Sequence, residues 1–97
     1  MKAVFIAYNQ ALTEAMDSIL DRHQIKGYTK WADAQGRGTH EGEPHFGNHT
    51  WPAMNSAILA IIEEERVEPL LESLKKLDAK AEQQGLRAFV WNIERMI

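Results

Sequence analysis

The 97-residue sequence contains no cysteine, which removes disulfides, thiolate metal sites and cysteine nucleophiles together. It also lacks an excess of positive charge. The 11 Lys and Arg residues stand against 14 Asp and Glu, for a formal net charge of −3. Non-specific nucleic-acid binding draws on a clustered cationic surface, so no nucleic-acid partner is expected. No apolar run approaches the ~20 residues of a membrane span. The opening MKAVFIAYNQ has a short apolar stretch that Asn9 and Gln10 interrupt, too brief for the core of a secretory signal. A cytoplasmic location is the expectation, and the glycosylation-like triplet Asn48-His49-Thr50 then reads as chance. There is no internal repeat, linker or low-complexity tract, and a chain of this length predicts one domain over residues 1–97.

What is present is ordinary globular material, 44% hydrophobic and 26% charged. KAVFIAY is rich in Val, Phe, Ile and Tyr and predicts a strand. Asn9 suits the cap of a helix beginning near Gln10, along which Leu12, Met16, Ile19 and Leu20 recur at helical spacing. Gly27 suits a left-handed turn after that helix. YTKWADA alternates loosely and predicts a second strand, and SAILAII, over residues 56–62, a third. Pro69 fits the first turn of a second helix, with Val67, Leu70, Leu71, Leu74, Leu77 and Ala81 as its inward stripe. Glu72 with Lys75 and Lys76 supplies surface ion pairs, each worth ~0.2–0.5 kcal/mol. Gly85 ends this helix and LRAFVWNI forms a fourth strand. The order β-α-β-β-α-β predicts an α+β, ferredoxin-like fold, an antiparallel four-stranded sheet with two helices on one face.

Such a sheet should be apolar on one side only. Here the first strand has Ala3, Phe5 and Ala7 on one face and Val4, Ile6 and Tyr8 on the other. The third has Ala57, Leu59 and Ile61 against Ile58, Ala60 and Ile62. The fourth has Phe89, Trp91 and Ile93 against Leu86, Ala88 and Val90. Both faces call for cover, and one chain supplies helices for only one of them. A homo-oligomer with sheets facing inward is expected. Trp31 and Trp91 are read as core or interface residues.

Between the second and third strands lies GRGTHEGEPHFGNHTWP, residues 36–52, with three of the four histidines and four of the six glycines. His40, His45 and His49, with Glu41 and Glu43, are suitable ligands for Zn²⁺, Ni²⁺, Cu²⁺ or Co²⁺. Equally, the histidines can serve only to hydrogen-bond a compact loop. Gly36-Arg37-Gly38-Thr39 offers backbone N–H groups, a guanidinium and a hydroxyl to a phosphate, or a simple hinge into the loop. Trp51-Pro52 predicts an extended entry into the third strand. His23 reads as a solvated or capping residue at the end of the first helix. A His45–Glu43 pair has the chemistry for proton transfer, but no motif specifies a nucleophile, an oxyanion hole or a cofactor, and a non-enzymatic role is expected.

Three stretches carry a resemblance: Gly27-Tyr28-Thr29 at the second strand, Gly36-Arg37-Gly38 before the long loop, and the closing Leu86-Arg87-Ala88-Phe89-Val90-Trp91-Asn92-Ile93-Glu94-Arg95-Met96-Ile97. In them the chain resembles the P-II nitrogen regulatory family and its P-II-like relatives. That resemblance implies a homotrimer with the sheets lining its centre and a long loop that contacts a partner, such as a membrane transporter or a regulatory enzyme. It also implies an adenine nucleotide held at Gly36, Arg37, Gly38 and Arg87. The departures are specific. The family's Thr-Gly-x-x-Gly-Asp-Gly-Lys turn is reduced here to Gln83-Gln84-Gly85-Leu86-Arg87. Beyond that closing stretch these residues hold no counterpart of the family's trailing arginines, and neither Tyr8 nor Tyr28 lies in the loop where the family's modified tyrosine stands. The expected role is a P-II-like regulator with a rebuilt loop that senses a small ligand or metal. A CutA-like metal-binding protein and a small ferredoxin-like enzyme are the alternatives.

Overall fold

A computed structural model of the chain describes residues 1–37, 44–47, 53–81 and 84–97. Strand β1 covers Lys2–Asn9, helix α1 Thr13–Arg22, β2 Tyr28–Ala34, β3 Asn55–Ile62, α2 Val67–Lys80 and β4 Arg87–Asn92. A 3₁₀ turn leads into each helix, over Gln10–Leu12 and Glu64–Arg66. The four strands form one sheet in the order β2-β3-β1-β4, antiparallel throughout. The ferredoxin-like arrangement read from the sequence is the one observed.

Local chemistry sets the element ends. The Asn9 side chain accepts a hydrogen bond from the Ala11 N–H at 2.9 Å, satisfying an otherwise orphaned donor. After α1 the left-handed position falls at Gln24, with φ of 57°, rather than at Gly27. His23 closes the helix, and its ring binds across to α2 (Nε2 to Ser73 Oγ, 2.7 Å) while Arg66 Nη1 donates to its carbonyl at 2.9 Å. Those tethers place the reversal three residues early. Helix α2 likewise ends at Lys80, before Gly85. Gly85 instead takes φ of 74° at the entrance to β4, a conformation strained for residues bearing a Cβ. Of the ion pairs expected on α2, Glu72 meets Lys75 at 3.4 Å.

The core lies between the sheet and the two helices. Val4, Ile6 and Tyr8 from β1 and Ile58, Ala60 and Ile62 from β3 pack against Met16, Ile19 and Leu20 of α1 and Val67, Leu70 and Leu74 of α2. Leu71 and Leu77 complete the α2 stripe half-buried. The Tyr8 hydroxyl is buried without a hydrogen-bond partner among the described residues. Ser56 is its neighbour in register, but the Ser56 hydroxyl donates to the Ala32 carbonyl at 2.6 Å. Burial pushes the Tyr8 phenol above its ordinary pKa, opposed in part by the nearby Lys30 ammonium.

The opposite face is apolar as well. The register aligns Phe5 with Leu59 and Phe89, Ala3 with Ile61 and Trp91, and Ala57 with Trp31. Phe89 is 56% exposed, Trp91 48% and Trp31 47%. No element of this chain among the described residues covers them.

Candidate functional site at the root of the long loop

The segment between β2 and β3 leaves the sheet through a narrow neck. Gly36 and His45 form an antiparallel bridge with both backbone bonds made, Gly36 N to His45 O at 2.9 Å and His45 N to Gly36 O at 2.6 Å. Phe46 then bridges Met54, and the Gly47 N–H donates to the Ala53 carbonyl at 2.8 Å. His45 and Phe46 therefore bridge to the two ends of the segment in turn.

Side-chain amides fasten this neck. Gln35 Nε2 donates to the Phe46 carbonyl at 2.9 Å. Gln10 Nε2 reaches the Ala32 carbonyl at 2.6 Å and the Asp33 carboxylate at 2.7 Å, and the Gln10 backbone N–H donates to the Met54 carbonyl at 2.9 Å. At the centre, His45 is 8% exposed, and its Nδ1 lies 2.6 Å from Asn55 Oδ1, itself buried. An amide oxygen only accepts, so Nδ1 carries the proton and Nε2 of the neutral ring keeps its lone pair. Asn55 also fixes the choice of residue at position 36. A Cβ on Gly36 would stand 2.8 Å from Asn55 Nδ2, closer than packed atoms come. On the far side of the imidazole, the Gly85 turn approaches within 3.5 Å of Cε1, measured from where its Cβ would be. The loop root, the start of β3 and the turn before β4 thus meet on one buried ring.

Of the expected ligand-binding residues, Gly36 is at this point, Arg37 follows it exposed, and Gly38 lies outside the described residues. Arg87 opens β4 beside the Gly85 turn, in register with Ala7. Its guanidinium donates to the Leu86 carbonyl at 2.8 Å. Of the expected metal ligands, only His45 is described. His40, Glu41, Glu43 and His49 lie outside, as do Glu43 of the acid/base pair and the Trp51-Pro52 entry. Among the described residues no three or more His, Asp or Glu come together as a metal cluster. His45, expected on the loop, is buried and held through Nδ1 by Asn55. Asn55 and Gln35 were missed in the sequence. A polar Asn at the start of the otherwise apolar SAILAII strand was the available signal.

This architecture defines a class, a split βαβ domain whose long loop springs from a glycine hinge pressed against the turn before the last strand. The chain belongs to the nitrogen regulatory protein P-II family, whose model matches residues 1–97, a family of signalling regulators. Among solved structures it resembles CPII, a nitrogen regulatory PII-like protein from Thiomonas intermedia K12, bound to ADP, AMP and bicarbonate. That match has 30% identity and a TM-score of 0.75, covering 95% of this chain and 84% of that one. The apo form of CPII matches at 26% identity and a TM-score of 0.73, over 95% and 87% of the two chains. A PII-like protein from Thermus thermophilus shares the fold at 24% identity and a TM-score of 0.68, over 95% and 85%. No curated protein matches the sequence. No helix among the described residues is long and apolar enough to cross a membrane.

Proposed function

We propose that this protein is a homotrimeric P-II-like regulator that binds an adenine nucleotide at the loop root and so controls the loop's contact with a partner protein in the cytoplasm. The observation that carries the reading is the convergence of Gly36, His45 and Gly85 on one point. A ligand seated on the Gly36–Gly38 backbone and on Arg87 would bear on the loop and the β4 turn together. It shifts the loop population only in so far as it binds one loop form more tightly than the other. The trimer rests on the open face carrying Phe89, Trp91 and Trp31, because apolar patches of this kind are seldom left to water. CPII, with its bound ADP, AMP and bicarbonate, makes nucleotide with bicarbonate the first ligand pair to try here. The partner is a transporter or a regulatory enzyme recognised through residues 36–52.

The test is a thermal-shift and calorimetric panel with ADP, AMP and bicarbonate, singly and together. A nucleotide at 100 times its Kd should add about 2.7 kcal/mol to stability, and Arg87→Ala should weaken it by roughly tenfold or more. No response to any nucleotide, with or without bicarbonate, would remove the ligand assignment while leaving the trimer to be judged by sedimentation.

One observation favours a second reading. Asn55 holds the His45 ring so that Nε2 is the unprotonated nitrogen, the arrangement a metal-ligating imidazole needs. In that reading His45 joins His40, Glu41, Glu43 or His49 around a divalent ion. A Zn²⁺, Ni²⁺, Cu²⁺ or Co²⁺ response abolished by His45→Ala but kept in Arg87→Ala would favour it.

A further inference from the structure

The outer groove between the helices differs in charge from the rest of the chain. Arg22 of α1 and Lys76 and Lys80 of α2 line it, with the hydroxyl residues Ser18 and Ser73, over a floor of Ile19 and Leu77. No carboxylate lines it, although acids outnumber bases in the sequence. Of the other cations, Lys2 pairs with Glu64, Lys30 with Asp17, Arg66 with Glu63 and Lys75 with Glu72, while Lys26, Arg37, Arg87 and Arg95 stand singly outside these pairs among the described residues. Among the described residues Arg22, Lys76 and Lys80 have no such partner.

Helix ends explain part of this. Arg22 and Lys80 stand in the last turns of their helices, where cations complement the carbonyl ends. Lys76, one turn earlier, is not accounted for in that way, and neither is the Ser18 hydroxyl, whereas Ser73 Oγ already meets His23 Nε2 at 2.7 Å. Each helix presents residues at i, i+3, i+4 and i+7, from 15 to 22 and from 73 to 80, so the groove is ~10 Å long at 1.5 Å per residue. Its polar donors are spread along that length above an apolar strip. Separate cations and hydroxyls at this spacing match linked phosphoryl groups better than a single small anion.

We infer that the α1/α2 groove is a second binding site, separate from the loop root, for a small molecule carrying two or more phosphoryl groups. Ser18, Arg22 and Lys76 hold the phosphoryl oxygens, Lys80 extends the site, and Ile19 and Leu77 take the ligand's less polar part. In an assembly closed through the open sheet face, the helices stay outward and every protomer keeps its groove.

The experiment is a titration of the isotope-labelled full chain with inorganic pyrophosphate, followed by amide NMR at low salt, with sulfate in parallel. Saturable shifts on residues 15–22 and 73–80, weakened on the order of tenfold or more in Arg22→Gln/Lys76→Gln and retained in Arg87→Ala, are expected. Both substituted side chains are exposed, and an unchanged spectrum elsewhere will show that the variant is folded. Shifts that fail to saturate, that are matched by sulfate, or that survive the double variant overturn the inference. Shifts confined to residues 36–37 and 84–87 do so too, because they place phosphate binding at the loop root alone.

Discussion

The two faces of one sheet are built from the same residue types and meet different fates. On the helix side, Ile6, Ile58 and Val4 have no exposed surface. On the other side, Phe89 and Trp91, one strand away, remain about half in water. Both sets arise from the same alternation along β1, β3 and β4, so what separates them is cover and not composition. The helix face is completed by the chain itself and belongs to folding. The open face has no such cover among the described residues, and the proposed trimer would supply it.

Substitutions on the two faces should therefore fail in different ways. The largest effect is expected from Ile58→Ala, about 2–5 kcal/mol of stability, the same at every protein concentration as read by denaturant unfolding at two concentrations tenfold apart. Phe89→Glu together with Trp91→Glu should leave the monomer fold intact by circular dichroism and convert the assembly to monomers in sedimentation. If the double variant sediments like the parent, the open face is not the interface. Asn55→Leu, at the loop root, removes the acceptor for a buried imidazole N–H and should cost about 1–3 kcal/mol, with the amide signals of Gly36 and Gly85 moving together. Tyr8→Phe removes a buried hydroxyl that has no partner among the described residues, so stability should hold or rise by up to about 1 kcal/mol. A loss on that substitution would mean that water or Lys30 serves the hydroxyl.

The smallest effect is in pH. Burial holds His23 below its ordinary pKa, helped by the adjacent Arg22. The unfolded chain thus takes up a proton on this residue before the folded one does, and stability falls as pH drops below the unfolded value near 6.5. Asp21 and Arg66 flank the same corner through Gln24 and the His23 carbonyl. In His23→Gln the slope of unfolding midpoint against pH between 7 and 5 should be shallower. An unchanged slope would assign the dependence to carboxylates elsewhere.

Most of the fold was legible because it rests on period. Apolar residues at two-residue spacing in β1 and β3, and at helical spacing in Met16, Ile19, Leu20 and Val67, Leu70, Leu74, leave little choice of element. Even the uncovered face could be read, since Ala57, Leu59 and Ile61 had no business facing water. The turns were less legible. Gly27 suits a helix end in sequence, but which residue takes positive φ depends on tethers from elsewhere, here the His23–Ser73 and Arg66 bonds that place it at Gln24. The site was the least legible. The bond from His45 to Asn55 spans ten residues, and no local pattern joins an imidazole to an amide at that distance.

The neck at Gly36 and His45 has a consequence for how this protein can change over generations. With both backbone bonds of that bridge made, the eight positions between its two ends are tied off from the sheet. Lengthening a tied-off stretch costs little, about 0.6 kcal/mol for each doubling. New sequences can accordingly be tried in residues 37–44 without renegotiating the body that displays them. The neck acts as a socket, and what is plugged into it is open to selection on its own.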